Sequence, residues 1–284
     1  MAASRAAVLG SPIAHSLSPV LHSAGYRELG LTEWSYQAIE CDDQGLAALL
    51  DSLGPDWAGL SLTMPLKRAV LPLLDSTEDL ALEVGAANTV LFRDGRRLGY
   101  NTDVPGMVAA LRLAGVATAG SAIVLGGGAT ACSALAALRE IGARDITVAV
   151  RSRARAEPLS IVAGRLGLDV RLIDFGQDVA GTRWQLLIST VPAAGAATVA
   201  SQLKTGGLAA ETIFDVVYDP WPTPLAEAAR ATGRTVISGY ELLVQQAAGQ
   251  FELMTGRQAP IEAMRAAGLA ELERRRNIRQ GRHA

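Results

Sequence analysis

Three consecutive glycines, Gly126-Gly127-Gly128, stand between the apolar run AIVL and an alanine-rich stretch of helical spacing that opens at Ala129. Glycines at such a point let the backbone turn tightly and approach a pyrophosphate, while the following helix offers free N–H groups and the positive end of its dipole. A glycine-rich turn alone is a weak signal. Its place between a strand and a helix, with a second strand ending at Val150, makes it the phosphate turn of a dinucleotide-binding unit. Where an NAD-binding unit supplies an acid for the ribose 2′-hydroxyl, this chain has Arg151-Ser152-Arg153-Ala154-Arg155. An acid would repel a 2′-phosphate. Arg151 and Arg155 can instead stack on adenine and pair with that phosphate, which favours NADP(H) over NAD(H).

A second set of polar residues lies at strand ends in the first third of the chain. GLSLTMPLK puts Thr63 and Lys67 just beyond a strand, with Pro65 placed to open a helix. GAANTVLFRDGRRLGYNTD repeats Asn-Thr at Asn88-Thr89 and Asn101-Thr102, beside strands each time, and ends on Asp103. Together these side chains form a hydrogen-bonding surface suited to a hydroxylated ligand. Singly each has a plainer reading: Lys67 as a surface cation, the asparagines as turn formers, Asp103 as a helix cap. The stretch GSPIAHSLSP has a plain reading too, with Ser18 as N-cap and Pro19 as the first helical residue.

These residues need a scaffold, and the pattern supplies one of α/β class. Short β-type runs at 6–9, 35–39, 59–62, 89–92, 122–125, 146–150, 170–173, 186–189, 212–216 and 235–237 alternate with helical spacing at 19–25, 44–53, 67–74, 104–113, 129–141 and 225–232. This predicts largely parallel sheets. A break falls near YNTDVPG, and a self-contained βαβ series runs from Ala122 to about Ile237. The long helical segment 241–255 has no strand after it, so it is expected to pack back on the first domain, leaving a cleft between domains as the ligand site. The boundaries are 1–104, 105–238 and 239–284, the last with a basic tail, ERRRNIRQGRHA, expected to be solvated or frayed.

Composition narrows the partners. Of 284 residues 49% are hydrophobic, enough for packed cores, and 26 basic against 28 acidic residues leave a net charge of -2 that recruits neither nucleic acid nor an anionic membrane. No apolar run approaches the roughly 20 residues of a membrane span and no signal peptide is visible, so a cytoplasmic location is expected. Two distant cysteines, Cys41 and Cys132, supply neither a disulfide framework nor a zinc site.

Taken in order, the motifs resemble the shikimate dehydrogenase family in its NADP-dependent, actinobacterial-like form, from the first strand to about Gly256. Residues 10–19 match its G-S-P-I-x-H-S-x-S-P run, 61–67 its N-V-T-x-P-x-K run, 85–89 its G-A-x-N-T and 101–103 its N-T-D. Asp215 to Pro220 with Thr223-Pro224-Leu225 is similar to D-x-x-Y-x-P…T-P-L, and Gly239, Leu243 and Gln245-Gln246-Ala247 to G-x-x-x-L-x-x-Q-A. Ser61, Leu62, Ala129, Val150 and Leu242 depart from the usual residues, without removing a carried role.

The resemblance implies an N-terminal α/β substrate domain, a Rossmann-type doubly wound NADP-binding domain, and C-terminal helices returning to the first. It implies reversible reduction of 3-dehydroshikimate to shikimate by NADPH, on the route to chorismate and the aromatic amino acids. Ser16 and Ser18, with Tyr218, would hold the substrate carboxylate, helped by the free N–H groups of a helix start. Asn88, Asp103, Thr63 and Gln246 would hold the ring hydroxyls, and Lys67 and Asp103 would be the catalytic pair. Gly126, Gly127, Gly128, Ala129, Arg151, Ser152, Arg155, Thr190, Val216, Gly239 and Leu242 would bind NADP(H), with no metal. The oligomer would be a monomer or homodimer. An NAD-dependent quinate/shikimate dehydrogenase shares this scaffold but lacks support from an acid after Val150. A non-catalytic dinucleotide-binding regulator would be expected to lack Lys67 or Asp103.

Overall fold

The computed structural model describes residues 4–153, 156–175 and 182–281. They form two compact units: Met1–Leu82, Ala86–Thr102 and Val244–Ala284 make the first, Glu83–Gly85 and Asp103–Leu243 the second. Among the described residues no helix is long and apolar enough to cross a membrane. Cys41 and Cys132 are both buried, and no disulfide joins them.

The first unit is built on a six-stranded sheet of β1 (Ser4–Gly10), β2 (Trp34–Glu40), β3 (Trp57–Leu62), β4 (Ser76–Thr77), β5 (Thr89–Arg93) and β6 (Arg96–Tyr100), in the order β2-β1-β3-β5-β6-β4. β1 and β3 are central and buried along most of their length, so they are mainly apolar; β2, at the edge, is largely exposed, with Tyr36 its one buried residue. β1 is parallel to both of its neighbours, but β5 is antiparallel to β3 and to β6. The sheet is therefore mixed rather than largely parallel. The cause is the two-residue hairpin at Asp94-Gly95, a strong turn dipeptide that folds the charged strand β6 back on β5. The helical expectation over 67–74 is also corrected. α3 (Leu66–Ala69) lasts four residues and yields to a 3-10 turn at Leu71–Leu73, because Pro72 has no N–H to continue the ladder.

Around this sheet lie α1 (Ser18–Glu28), α2 (Leu46–Ser52) and α4 (Asp79–Val84), and near the end of the chain α10 (Gly239–Thr255) and α11 (Ile261–Arg279). The returning C-terminal helices are as expected: α11 packs on α1. The tail from Glu273 is largely exposed, as a solvated end would be, but over 273–279 it is helical rather than frayed, since α11 continues to Arg279. Glu271 accepts hydrogen bonds from Arg274 and Arg275 at 2.7 Å, and Arg275 Nη1 donates to the His15 carbonyl at 2.8 Å. Pairing at three and four residues' spacing and one long-range anchor keep the basic turns helical.

The second unit carries α5 (Asp103–Leu113), β7 (Ser121–Leu125), α6 (Ala129–Glu140), β8 (Asp145–Val150), α7 (Glu157–Arg165), β9 (Val170–Asp174), β10 (Arg183–Ser189), α8 (Ala197–Thr205), β11 (Ala209–Asp215), α9 (Pro224–Ala231) and β12 (Thr235–Ser238). All six strands are parallel in the order β12-β11-β10-β7-β8-β9, which is the doubly wound Rossmann arrangement. Trp184, Leu187, Ile213 and Leu225 fill one side of its core.

His22 on α1 sits in the first unit's aromatic core, stacked on Tyr36 with ring centroids 4.0 Å apart and flanked by Tyr26 and Phe251. Neither ring nitrogen has a hydrogen-bond partner. Burial lowers its pKa from 6.5 to about 3, and the pull of the neighbouring Gln250 amide toward the charged form is the smaller effect. Above pH 6.5 the ring is neutral in folded and unfolded chains alike and contributes nothing to pH dependence. Between 6.5 and about 3 only the unfolded chain takes the proton, so this group lowers stability by about 1.4 kcal/mol per pH unit. His22→Phe removes that term: the urea midpoint of the native chain is expected to fall more steeply from pH 6.5 to 4 than that of the variant. Parallel curves would show that His22 does not stay neutral.

Candidate active site

The mixed sheet gathers the first unit's polar residues at one end. β3 leaves that end at Leu62, toward Thr63 and Lys67. β5, antiparallel to β3 with Thr89 opposite Ser61, starts there, so Asn88 lies just before it. β6, antiparallel in turn with Tyr100 opposite Thr89, delivers Asn101 and Thr102 to the same place. Main-chain bonds lace these segments: Thr63 N–H to Leu9, Leu62 N–H to Asn88, Ala87 N–H to Lys67 and Asn88 N–H to Tyr100, each at 2.7–3.0 Å.

Asn88 is 1% exposed and its amide is fully engaged. Oδ1 accepts from the Thr102 N–H at 2.8 Å and the Thr89 hydroxyl at 2.9 Å; Nδ2 donates to Thr102 Oγ1 at 2.9 Å and to Gln246 Oε1 at 3.3 Å. Gln246 comes from α10, so the C-terminal helix completes this cluster. Thr63 and Lys67 beside it are half-buried. Asn101 donates from Nδ2 to the Ala86 carbonyl at 2.8 Å. Asp103 follows Thr102 directly, is buried, and opens α5 in the second unit.

The serine loop differs from its plain reading. α1 has Leu17 at the cap position and no side-chain cap; the Ser18 N–H donates instead to Ser16 Oγ at 3.2 Å. Ser18 is itself the first residue of the helix and is buried. Glu40, the last residue of β2, holds the start of the loop by accepting from the Ser11 hydroxyl at 2.7 Å and the Ile13 N–H at 3.0 Å.

In the second unit the expected cofactor residues stand at the carboxyl edge of the parallel sheet. β7 and β10 are neighbours while the chain runs from β7 to β8, so the direction of winding reverses between them, the position where such sheets bind nucleotides. Gly126 has φ +115, and a Cβ there would lie 2.5 Å from Thr190 Oγ1; Thr190 in turn donates to the Leu125 carbonyl at 2.7 Å. Around Gly128 there is open space, and it caps α6 without any side-chain bond, leaving the first-turn N–H groups to a ligand. Arg151 is exposed at the end of β8 and Ser152 half-buried after it, while Arg153 pairs with Asp174 at 3.2 Å. Arg155 lies outside the described residues. Val216 follows β11, its N–H donating to the Ser189 carbonyl at 3.0 Å. Gly239 begins α10 at a point where a Cβ would meet Val216 O at 1.9 Å, and Leu242 is buried on the next turn. Tyr218 is half-buried in the loop after β11. That loop is shaped by Asp215, whose buried carboxyl is pushed up by desolvation and accepts from Thr223 Oγ1 at 2.6 Å; Thr223 caps α9 through the Ala226 N–H at 3.1 Å. These residues fit a dinucleotide.

Several supports of the site carry no strong mark in the sequence: Tyr36, Ser61, Glu40 and Gln250. Glu40 and Tyr36 look like ordinary members of a strand, and Gln250 like a solvent-facing helical residue. The polar Ser61 inside the otherwise apolar β3 is the one local signal that a buried partner is needed.

Known proteins bear on this arrangement. Residues 8–90 match the shikimate dehydrogenase substrate binding domain, and residues 239–267 the shikimate 5'-dehydrogenase C-terminal domain. The shikimate dehydrogenase (NADP(+)) of Staphylococcus aureus strain Newman is 32% identical over 270 residues, spanning 94% of this chain and 98% of its own. The crystal structure of Mycobacterium tuberculosis shikimate dehydrogenase matches with a TM-score of 0.84 at 43% identity, over 94% of this chain and 99% of that one. Shikimate 5-dehydrogenase from Thermus thermophilus in complex with NADP(H) and shikimate matches at 0.79 and 33%, over 94% and 99%. With a likeness that spans nearly the whole of each chain, the protein belongs to the shikimate dehydrogenase family.

Proposed function

We propose that the chain catalyses the reversible NADPH-dependent reduction of 3-dehydroshikimate to shikimate, with Lys67 and Asp103 as its catalytic pair. The observation that carries this reading is the meeting of Thr63, Lys67, Asn88 and Thr102 at one end of the first sheet, built by an antiparallel turn-back. Asn88 offers a ring hydroxyl its Nδ2 hydrogen. The bond from Nδ2 to Gln246, at 3.3 Å, is longer than that to Thr102, at 2.9 Å, and is the one of the two a ligand oxygen displaces at less cost. Gln246 and Thr63 hold further hydroxyls, and Ser16, Ser18 and the start of α1 take the carboxylate, with Tyr218 as a further contact.

NADPH, when bound, supplies the hydride. The protein's part is to orient the ketone and to meet the charge that forms on its oxygen. As hydride reaches the carbonyl carbon, the π pair moves to oxygen, and the Lys67 ammonium stabilises this alkoxide and passes it a proton. In the oxidising direction the amine takes the proton back, and Asp103 completes the pair. For the cofactor, the α6 start with Gly126, Gly127, Gly128 and Ala129 takes the pyrophosphate, Arg151, Ser152 and Arg155 the 2′-phosphate, and Thr190, Val216, Gly239 and Leu242 the nicotinamide end.

Lys67→Ala is expected to lower kcat by about 100-fold or more while the Kd for shikimate, from fluorescence or calorimetry, changes little. Near-normal turnover would remove Lys67 from the chemistry. Arg151→Ala is expected to raise the KM for NADPH about tenfold and leave that for NADH close to its native value. Equal losses with both cofactors would count against a contact to the 2′-phosphate.

A further inference from the structure

An unbroken line of side-chain hydrogen bonds runs inside the first unit from Tyr36 to Asn88, which lies in the proposed shikimate site. Tyr36 donates to Ser61 Oγ at 2.6 Å, and Ser61 donates to Gln250 Oε1 at 2.8 Å. On its other side Gln250 Nε2 donates to the Asn88 carbonyl at 3.0 Å and to Thr89 Oγ1 at 3.2 Å. Thr89 then donates to Asn88 Oδ1 at 2.9 Å.

We propose that Gln250 is a positioning residue for substrate, one that fixes the direction in which the Asn88 amide presents its N–H. The inference rests on the assignment of Asn88 to a ring hydroxyl. The line is polarised: each hydroxyl from Tyr36 to Ser61 donates onward, and it ends on a group that must accept at one atom and donate at the next. Only a carboxamide of glutamine's length does both. With Nε2 occupying the lone pairs of Thr89, the Thr89 proton is directed at Asn88 Oδ1. Asn88 is thereby held with oxygen toward Thr89 and Thr102 and with nitrogen toward Gln246. The Thr102 N–H also holds Oδ1, so without Gln250 the amide keeps one of the two bonds that set its direction and is loosened, presenting its N–H to the ligand less firmly. Gln250 and Ser61 are 1% and 3% exposed, so water does not substitute for either. Neither touches the cluster's open side, where Gln246 lies one turn earlier on α10.

Kinetics of the full chain with shikimate and NADP, run well below each variant's melting temperature, test this. Gln250→Met keeps the volume and loses both bonds. It is expected to raise the KM for shikimate about tenfold, with kcat and the KM for NADP within about twofold. Gln250→Glu keeps the shape and recovers one donor when protonated, so its shikimate KM is expected to fall back toward the native value as the pH is lowered. Asn88→Ala is read beside them. A native KM in Gln250→Met while Asn88→Ala raises it overturns the role of Gln250 and leaves the site assignment standing. A native KM in both overturns the assignment itself. Should Gln250→Met fail to fold, Ser61→Ala, which cuts the line one bond earlier, is expected to raise the shikimate KM about two- to threefold, and a native value there overturns the proposal.

Discussion

A polar side chain sealed away from water is held firmly only where its donors and acceptors find partners, because each one left unpaired, as at His22, costs on the order of 1–3 kcal/mol. The first unit places an unusual number of such groups in its interior. Ser18, Ser61, Asn88, Thr89, Asn101, Thr102 and Gln250 are all buried, and they lie where β1, β3, β5 and β6 reach one end of the sheet. Their demand is met collectively: Asn88 satisfies Thr102 and Thr89, Gln250 satisfies Ser61 and Asn88, and Tyr36 donates to Ser61. The result is rigidity of the kind a binding site needs, since moving one amide breaks several bonds at once. A hydroxylated ligand then meets groups whose orientation was settled when the chain folded.

Apolar packing surrounds this polar centre and depends on the same elements. Gly25 admits the ring of Phe251, whose neighbours are His22 and Tyr26, so α10 is seated on α1 within reach of the network. The helix that seats Phe251 also carries Gln250 and Gln246. An apolar anchor and two amides on successive turns of one helix mean that packing sets the height of the hydrogen-bonding groups to within a fraction of an ångström. This is why the C-terminal segment belongs to the first unit although it lies more than a hundred residues beyond the rest of it in sequence. The second unit uses a different device. Its strand ends are tied by Thr190 to Leu125, Gly126 to Ala149 and Val216 to Ser189, and side chains are withheld where a ligand's phosphates must come close.

Much of this was legible in the sequence. The glycine turn, the strand–helix alternation after Ala122 and the return of the last helices each have a local pattern with a physical cause, and Thr63, Lys67 and Asn88 were drawn from separated motifs to a single place. What failed to show depends on pairing at long range. β6, with two arginines and a glycine in five residues, lacks the apolar pattern of a strand, and only the Asp94-Gly95 turn signals it. The basic run after Glu273 looks like a solvated end until Glu271 and the His15 carbonyl are brought to it. Ser61 looks like a harmless replacement within its motif, although in the folded chain it is a central member of the network.

Tyr36 and Gln250 illustrate why such supports escape a one-dimensional reading. A tyrosine at an inward position of a strand is a normal core residue, and a glutamine between apolar helical positions is a normal surface one. Their chemistry appears only when 25 residues separate Tyr36 from its acceptor and 189 separate Ser61 from its own. Residues that touch a ligand recur as short motifs because the ligand imposes their geometry directly. Those that orient them have only to satisfy one another, so serine with glutamine can serve where a single longer amide would also reach.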